Sequence, residues 1–593
     1  MPEGFETKQH AWYKSVAGVF ARVEKKDVAD IPLDVWKKLI RTTYDGIDVN
    51  PLYTRADETG ESAVPGGFPF VRGTDASRYG WGVTETFRGA PAEVNKAILH
   101  ALYNGTTDLV LDFAEFEPAD LATVLKDVLL DLAPIHLRAG NKLPEAAEAL
   151  YKLVGDVTPT VTLGATPLTS VVDGSETVTL EQAVALAESA PKGVRAITVD
   201  AVSFANQGAT DAQEIGFALA AGVEYLRALT AAGLSTEAAL GQIVFRFAAT
   251  DDQFAQIAKF RAARQLWARI AEVLGAAESG AAPQYAVTAP AMFSQRDPWV
   301  NMLRVTVAAF AAGVGGATSV EVLPFDYAVP GGLPNTSRTF AHRIARNTNL
   351  LLLEESHLGH VIDPAGGSYY VENLTDELAD KAWSVFTKVE AAGGYSKADM
   401  IRTMLDESFE TTRNDIAHRR KQLTGINEFP NLLERPLPAE LRVEPAGIRR
   451  WAAEFEALRN RSDAFLDANG KRPQAVLIPL GPLAKHNIRT GFATNLLASG
   501  GIEALNPGQL EPGTAAFDEA AASAPIAVIC GTDPEYAASG QAALAALRKA
   551  GNTVLLAGAP SSFEGASDAP DGYLNMKIDA AKTLSELLSK LGA

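Results

Sequence analysis

A chain of 593 residues is too long for a single hydrophobic core and implies about three structural units. Its 53 basic and 72 acidic residues leave a net charge of −19, a surface that repels nucleic acid and anionic lipid and argues against both as partners. The lone cysteine, Cys530, excludes an intrachain disulfide and multi-thiolate zinc, and it reads as a small buried core residue. The opening residues, "MPEGFETKQHAWYKSV", lack the basic-then-apolar pattern of a signal segment. No apolar run reaches the roughly 18 residues a bilayer span needs, so the chain reads as cytoplasmic, with no membrane contact.

Residues 1–60 mix charged and aromatic side chains, with a helix near "LDVWKKLIRTTY" and little periodicity elsewhere. They read as an N-terminal arm whose Trp12, Tyr13, Trp36 and Tyr44 need another surface. Over 61–425, short apolar strands alternate with alanine-rich helices such as "DAQEIGFALAAGVEYLRALTAAG" and "DQFAQIAKFRAARQLWARIAEVLG". Strands are predicted at 107–113, 160–166, 195–201, 242–248, 284–290 and 319–325. Repeated βα units build a parallel sheet, and at this length an α/β fold closed into a (β/α)8 TIM barrel is the natural solution.

Residues 426–470 begin with Pro430, Pro436, Pro438 and Pro445 and end in the charged helix "RRWAAEFEALRNRSDAF", the pattern of a linker. Over 471–593 the alternation resumes. "AVLIPL", "IEAL", "IAVIC", "TVLLA" and "GYLNMKI" read as five strands of a flavodoxin-like doubly wound domain. Such sheets bind ligands at the carboxyl ends of their strands, which is where "PLAKHNIRTGFATNLLASGGIEA" (482–504), with its His486, would lie.

Few motifs carry chemistry outright. "GVGGAT" (313–318) has glycines at the wrong spacing for a phosphate loop, and "NGKR" lacks the upstream glycine and the hydroxyl residue. No G-x-S-x-G elbow and no H-E-x-x-H pair is present. His357 and His360 in "ESHLGHVIDP" are the only close histidines; a metal would need further ligands, so a solvated loop or a partner contact is the plainer reading. Arg343 and Arg346, beside a leucine run, could hold anions but more simply pair with nearby acids.

The order barrel, linker, doubly wound domain is uncommon, and four stretches make it specific. These are "KKLIRTTYDGIDVNPLYT" (37–54), "FPFVRGTDASRYGW" (68–81), "KFRAARQLWARI" (259–270) and above all "RIARNTNLLLLEESHLGHVIDPAGGSYYVENLTDELADKAW" (343–383). Through them the chain resembles the methylmalonyl-CoA mutase family along nearly its whole length. The resemblance implies a substrate-binding barrel joined to a cobalamin-binding-type domain.

The family's catalytic positions do not follow. Its active chains carry Ser-Gly-Tyr-His-Met-x-Glu-x-Gly-Ala-Thr, and the matching stretch here is "DAVSFANQGAT" (200–210). Gly208, Ala209 and Thr210 fix the register, which puts Val202 on the tyrosine and Ser203 on the histidine. Serine cannot act as an acid near neutral pH. "TETFRG" (84–89) is shorter than the family's Thr-Ile-Arg-Gln-Tyr element, and "TAPAMFSQ" (288–295) lacks the histidine of its His-Thr-Gln-Thr run. In the cobalamin motif Asp-x-His-x-x-Gly, anchoring on Gly500, Gly501 and Ile502 puts His486 on the cobalt ligand, Ala484 on the aspartate and Arg489 on the glycine. A slip of one residue would instead put Lys485 on the ligand. Either way the orienting acid is missing, a loss worth roughly 10–100-fold in metal affinity. The paired glycines later in that domain correspond to Ala557 and Gly558, and its serine element to "CGTDPEY".

Some members of the family are heterodimers of an active chain and a homologous chain without cofactor and substrate sites. The sequence resembles the second, small-subunit kind. That implies a homologous catalytic large (alpha) subunit as partner, with adenosylcobalamin bound by that partner. No catalytic residue, cofactor or metal is expected on this chain, His486 being the residual candidate. Two rival readings remain. A competent acyl-CoA mutase with an altered site would bind cobalamin without the motif, and corrin absorbance of the isolated chain would reveal it. An acyl-CoA scaffold protein would co-purify with a different partner.

Overall fold

The computed structural model describes residues 4–77, 80–155, 157–564 and 568–593. Arg78 and Tyr79 of the "FPFVRGTDASRYGW" stretch lie outside the described residues. The chain opens with α1 (Phe5–Glu24), whose small Ala17 and Ala21 let Ile31 and Val35 pack close. Trp12, Tyr13 and Trp36 gather on one another, with Tyr13 and Trp36 stacked at 5.9 Å. Val19 and Val23 of α1 remain exposed. Hydrogen bonds, among them one from the Asn373 side chain to the Asp57 carbonyl, tie the end of this arm to the rest of the chain. The Tyr44 hydroxyl donates to Asp415, and the Asp45 carboxylate accepts from the Ala212 amide at 3.1 Å.

Eight strands follow: β1 (Gly82–Phe87), β2 (Asp108–Asp112), β3 (Ile135–Arg138), β4 (Val161–Ala165), β5 (Val194–Asp200), β6 (Ile243–Ala249), β7 (Gln284–Thr288) and β8 (Ser319–Glu321). Each pairs in parallel with the next, and β8 closes on β1 with Ser319 opposite Gly82, so the expected TIM-type barrel is present. Six strands fall where alternation predicts them. β1 and β3 do not, because Thr84, Thr86, His136 and Arg138 put polar atoms where an apolar face is sought.

The barrel's flank is built from α2 (Asp211–Ala231), α3 (Gln253–Val273) and α4 (Tyr369–Ala391). Thr210 starts α2 through a reciprocal cap: its hydroxyl accepts from the Gln213 amide, and the Gln213 side chain accepts from the Thr210 amide. A Cβ on Gly216 would come within 2.6 Å of Val385, so the glycine lets α4 lie directly on α2.

The second half of the segment from 426 to 470 is packed, while Phe429 and Leu433 in its first half are exposed. Its helix α5 (Ala453–Asn469) buries Phe455, Glu456, Leu458, Arg459, Ser462 and Asp463. Gln295 and Arg296, beyond β7, donate their amides to Glu456 at 2.6 and 3.0 Å, and the Arg296 side chain donates to Asp463. Asp463 also accepts from Arg472 at 2.7 Å, so one carboxylate joins barrel and C-terminal domain. Beyond it lie β9 (Gln474–Pro479), α6 (Leu483–Ser499), β10 (Glu503–Leu505), β11 (Ile526–Cys530), β12 (Thr553–Ala557) and β13 (Gly572–Leu574). The five strands are parallel in the order β10-β9-β11-β12-β13. Among the described residues, no helix is long and apolar enough to cross a membrane.

Candidate functional site

Branched apolar side chains ordinarily fill a (β/α)8 lumen. Here polar residues line a cavity of about 600 Å³ that reaches the surface at the loops after β2, β3 and β4. At its strand-end rim, Arg138 donates to Glu321 and, at 3.2 Å, to Thr86. Arg246 donates to Asp200 at 2.9 Å and lies 3.7 Å from Glu321. Burial would raise the Glu321 carboxyl, but the two guanidinium groups outweigh it and hold it below the usual carboxylate range. Two cations thus face two anions, leaving no uncompensated charge for a carboxylate or phosphate. Sequence reasoning missed this cluster. Its signal was available, since Asp200, Arg246 and Glu321 each interrupt an apolar strand, and a buried charge needs a partner.

β5 ends at Asp200 and the chain turns into a short helix, Val202–Asn206. Val202 is buried and its amide donates to the Asp200 carboxylate at 3.2 Å. Ser203 is buried on the cavity wall, and its hydroxyl donates to the Asp200 carbonyl at 2.8 Å. Among the described residues the hydroxyl donates to this main-chain carbonyl and to no base, which leaves it unactivated as a nucleophile. Gly208 sits at φ 103, and a Cβ there would lie 2.5 Å from that of Phe409, so both backbone conformation and packing require glycine at this turn. In "TAPAMFSQ", Thr288 accepts from the Leu323 amide at 3.0 Å, and Gln295 donates to the Ala328 and Val443 carbonyls at 2.9 Å. In "TETFRG", Glu85 accepts from Arg346 at 2.8 Å.

In the C-terminal domain, His486 lies within α6 rather than before it. Its side chain is buried, burial lowers its pKa, and among the described residues Nδ1 finds no hydrogen-bond partner. Ala484 and Lys485 are exposed. Arg489 donates to Asp533 at 2.6 Å and lies 4.9 Å over the Tyr536 ring. A Cβ on Gly558 would come within 3.2 Å of its Nη1. Asp533 and Tyr536 follow β11 and Gly558 follows β12, so this guanidinium spans the strand-end edge of the sheet. An imidazole without an orienting acid, beside a long cation across the crevice, does not fit a corrin ligand set. Ala557 and Cys530 close their strands, and burial pushes the Cys530 thiol up.

The remaining candidates are an exposed histidine pair, an exposed arginine and a set of buried structural cations. His357 and His360 stack at 4.6 Å. Among the described residues, no group of three or more His, Cys, Asp or Glu side chains could hold a metal ion. Arg346 has the acid partner expected of it; Arg343 lies instead over the Phe340 ring at 5.5 Å. In "KFRAARQLWARI", Lys259 donates to Glu214 at 2.9 Å and lies 3.0 Å from Asp211, while Arg261 donates to Asp363 and Glu372. Arg264 donates to the carbonyls of Phe70, Val71 and Gly315 at 2.9, 2.8 and 2.7 Å. Asn349 joins the Trp81 indole at 2.9 Å to the Val320 carbonyl at 3.0 Å.

The family model for methylmalonyl-CoA mutase matches residues 175–469. The "Probable methylmalonyl-CoA mutase small subunit" of Mycobacterium bovis is 48% identical over 98% of this chain and 97% of its own length. The chain belongs to the methylmalonyl-CoA mutase family. The methylmalonyl-CoA mutase small subunit of Streptomyces virginiae is 44% identical over 98% of this chain and 96% of its own. The methylmalonyl-CoA mutase of Rhizobium meliloti is 29% identical over 72% of this chain and 66% of its own. Within the mutase family, likeness to these two small subunits thus runs across barrel and C-terminal domain alike.

Proposed function

We propose that this chain is the non-catalytic small subunit of a cytoplasmic, heterodimeric methylmalonyl-CoA mutase, the isomerase that interconverts methylmalonyl-CoA and succinyl-CoA in propionate metabolism. In this reading the homologous large (alpha) subunit holds adenosylcobalamin and substrate, and this chain stabilises it. One observation carries the proposal. Where the family's active chains are implied to hold Tyr-His, a buried valine, Val202, and a main-chain-bonded hydroxyl, Ser203, offer neither phenol nor imidazole.

The charge-matched lumen and Arg489 agree with it. The strand order of the C-terminal sheet is the flavodoxin order, and we read residues 471–593 as a degenerate cobalamin-binding domain. The arm, 1–60, with its aromatic cluster and exposed Val19 and Val23, is the proposed partner contact, in an obligate interface of roughly 2,000–5,000 Å². Residues 61–425 are the barrel unit and 426–470 the connection.

The test is expression of the chain alone and with a large subunit, incubation with adenosylcobalamin, desalting, then a visible spectrum and a turnover assay. Corrin absorbance and turnover are expected only with the large subunit. A stoichiometric corrin band on the isolated chain that disappears in His486→Ala, or succinyl-CoA formed by the chain alone, would overturn the proposal.

A further inference from the structure

Outer helices of a (β/α)8 barrel ordinarily carry charge on the face they turn to water. The helix Val300–Val314, which follows β7, does not. Its one charged residue, Arg304, is buried and donates inward to Ser294, Asn301 and the Thr424 carbonyl at 3.1, 2.7 and 2.7 Å. Trp299 and Leu303, one turn apart at the start of this helix, are 46% and 67% exposed, and the Trp299 ring stacks on buried Phe325 at 4.7 Å. The loop from Thr424 to Glu434 is tied to the same turn at both ends, by that carbonyl and by the Asp297 amide, which donates to Glu434 at 2.7 Å. It carries Phe429 and Leu433, 72% and 95% exposed. The Phe429 backbone is left-handed, at φ 51, a costly conformation for a bulky residue. The loop that imposes it is pinned. Buried Asn427 accepts from the Leu423 amide at 2.7 Å and donates to the Ile416 and Lys421 carbonyls at 3.0 Å, and the Phe429 amide donates to Asn495 of α6 at 2.8 Å. The ring is thereby held outward.

We infer that Trp299, Leu303, Phe429 and Leu433 form the apolar centre of a docking surface for the homologous large subunit, separate from the arm. The inference rests on the subunit reading above. Large apolar side chains grouped on a surface mark a contact with another macromolecule. Rigid aromatic anchors dominate the energetics of such contacts, because little freedom is lost when they bind. Chains that never part from their partner are the ones that carry so apolar a face. Charge narrows the choice of occupant. Arg343 lies over the Phe340 ring, which meets the Phe325 ring edge-on, and Arg435 follows Glu434. Both guanidinium groups are exposed, and among the described residues neither has an acid partner, on a chain whose net charge is −19. An apolar centre with a cationic rim fits a partner that offers apolar side chains ringed by acids. A second copy of this chain would bring the same cations to both sides of the contact.

Biosensor titration of the full-length chain with its cognate large subunit tests it. Phe429→Gly is the decisive variant, since glycine takes up a positive φ without strain, so the loop keeps its shape while the ring is lost. Affinity is expected to fall about tenfold or more, through faster dissociation, and Leu433→Asp should act in the same way. Arg343→Ala combined with Arg435→Ala should instead slow association and flatten its dependence on salt. Thermal melts verify that each variant folds. Parent affinity in both Phe429→Gly and Leu433→Asp overturns the inference and leaves the subunit reading standing. No association of the parent chain with the large subunit overturns both. A homodimer of the chain alone that Leu433→Asp dissolves would make a second copy the occupant, and that also overturns the inference.

Discussion

The barrel's flank and its strand-end rim use buried cations differently. On the flank, Lys259, Arg261 and Arg264 are each wholly or almost wholly buried and each satisfies several acceptors from distant segments. At the rim, Arg138 and Arg246 neutralise two neighbouring acids, and in the other domain Arg489 closes a crevice. Three of the four family-like stretches map onto the helices and turns around the barrel and the fourth, 37–54, onto the end of the arm, whereas the positions of the family's implied Tyr-His pair map onto the rim. A long motif match in this family therefore reports how the barrel is held together. It does not by itself report turnover.

Three substitutions probe that division. The largest effect is expected at the flank. Arg261→Ala strips the shared cation from Asp363 and Glu372; breaking a buried pair typically costs about 3–5 kcal/mol, and Arg72, 3.1 Å from Asp363, keeps the loss toward the lower end. Urea unfolding should show this loss or yield insoluble protein; a variant as stable as wild type would erase the distinction.

Next comes Asp45, where the arm meets α2. Burial first, and then the Asp211 charge, push its carboxyl up to about 6 from an ordinary 3.8. The native state therefore holds this proton more tightly than the unfolded chain does. The contribution is fully present below the ordinary value and is lost as pH rises through about 6. Asp45→Asn keeps an acceptor for the Ala212 amide without the charge, so it should stabilise the chain by roughly 1–2 kcal/mol above that pH. The gain should fade in acid. Denaturant midpoints on both sides of the transition measure it, and a pH-independent difference would contradict the linkage.

The smallest effect is expected at the rim of the C-terminal sheet. Arg489→Ala removes a half-exposed ion pair and a cation–π contact, each worth about 1 kcal/mol or less. Under the proposed function the variant, like the parent chain, should retain no corrin after desalting, because among the described residues no acid orients His486. A corrin band appearing in this variant would identify Arg489 as the one obstacle.

Most of the architecture was legible in the sequence, because parallel strands buried on both faces read as apolar runs. β5, β6 and β7 and the C-terminal β9, β11 and β12 fall into that class. β1 and β3 escaped since the lumen they face is polar. The helix at 453–469 read as the charged end of a linker because its buried face includes Glu456, Arg459 and Asp463, whose partners lie elsewhere in the chain. Of the candidate site, Val202, Ser203 and Arg489 were found through a motif in which they are the departures. The ion cluster needed coordinates, since neither spacing nor composition brings β3, β5, β6 and β8 to one rim.

The carboxylate bridge between the domains bears on how the chain is made. Arg296 leaves the ribosome before Glu434, Glu456 and Asp463, the acids that face it, have been synthesised. Until they arrive, the guanidinium that follows β7 has none of its neutralising groups. The turn beyond β7 therefore takes up its final bonding only after residues 434–463 are made, which ties the last step of barrel assembly to the segment that leads into the C-terminal domain.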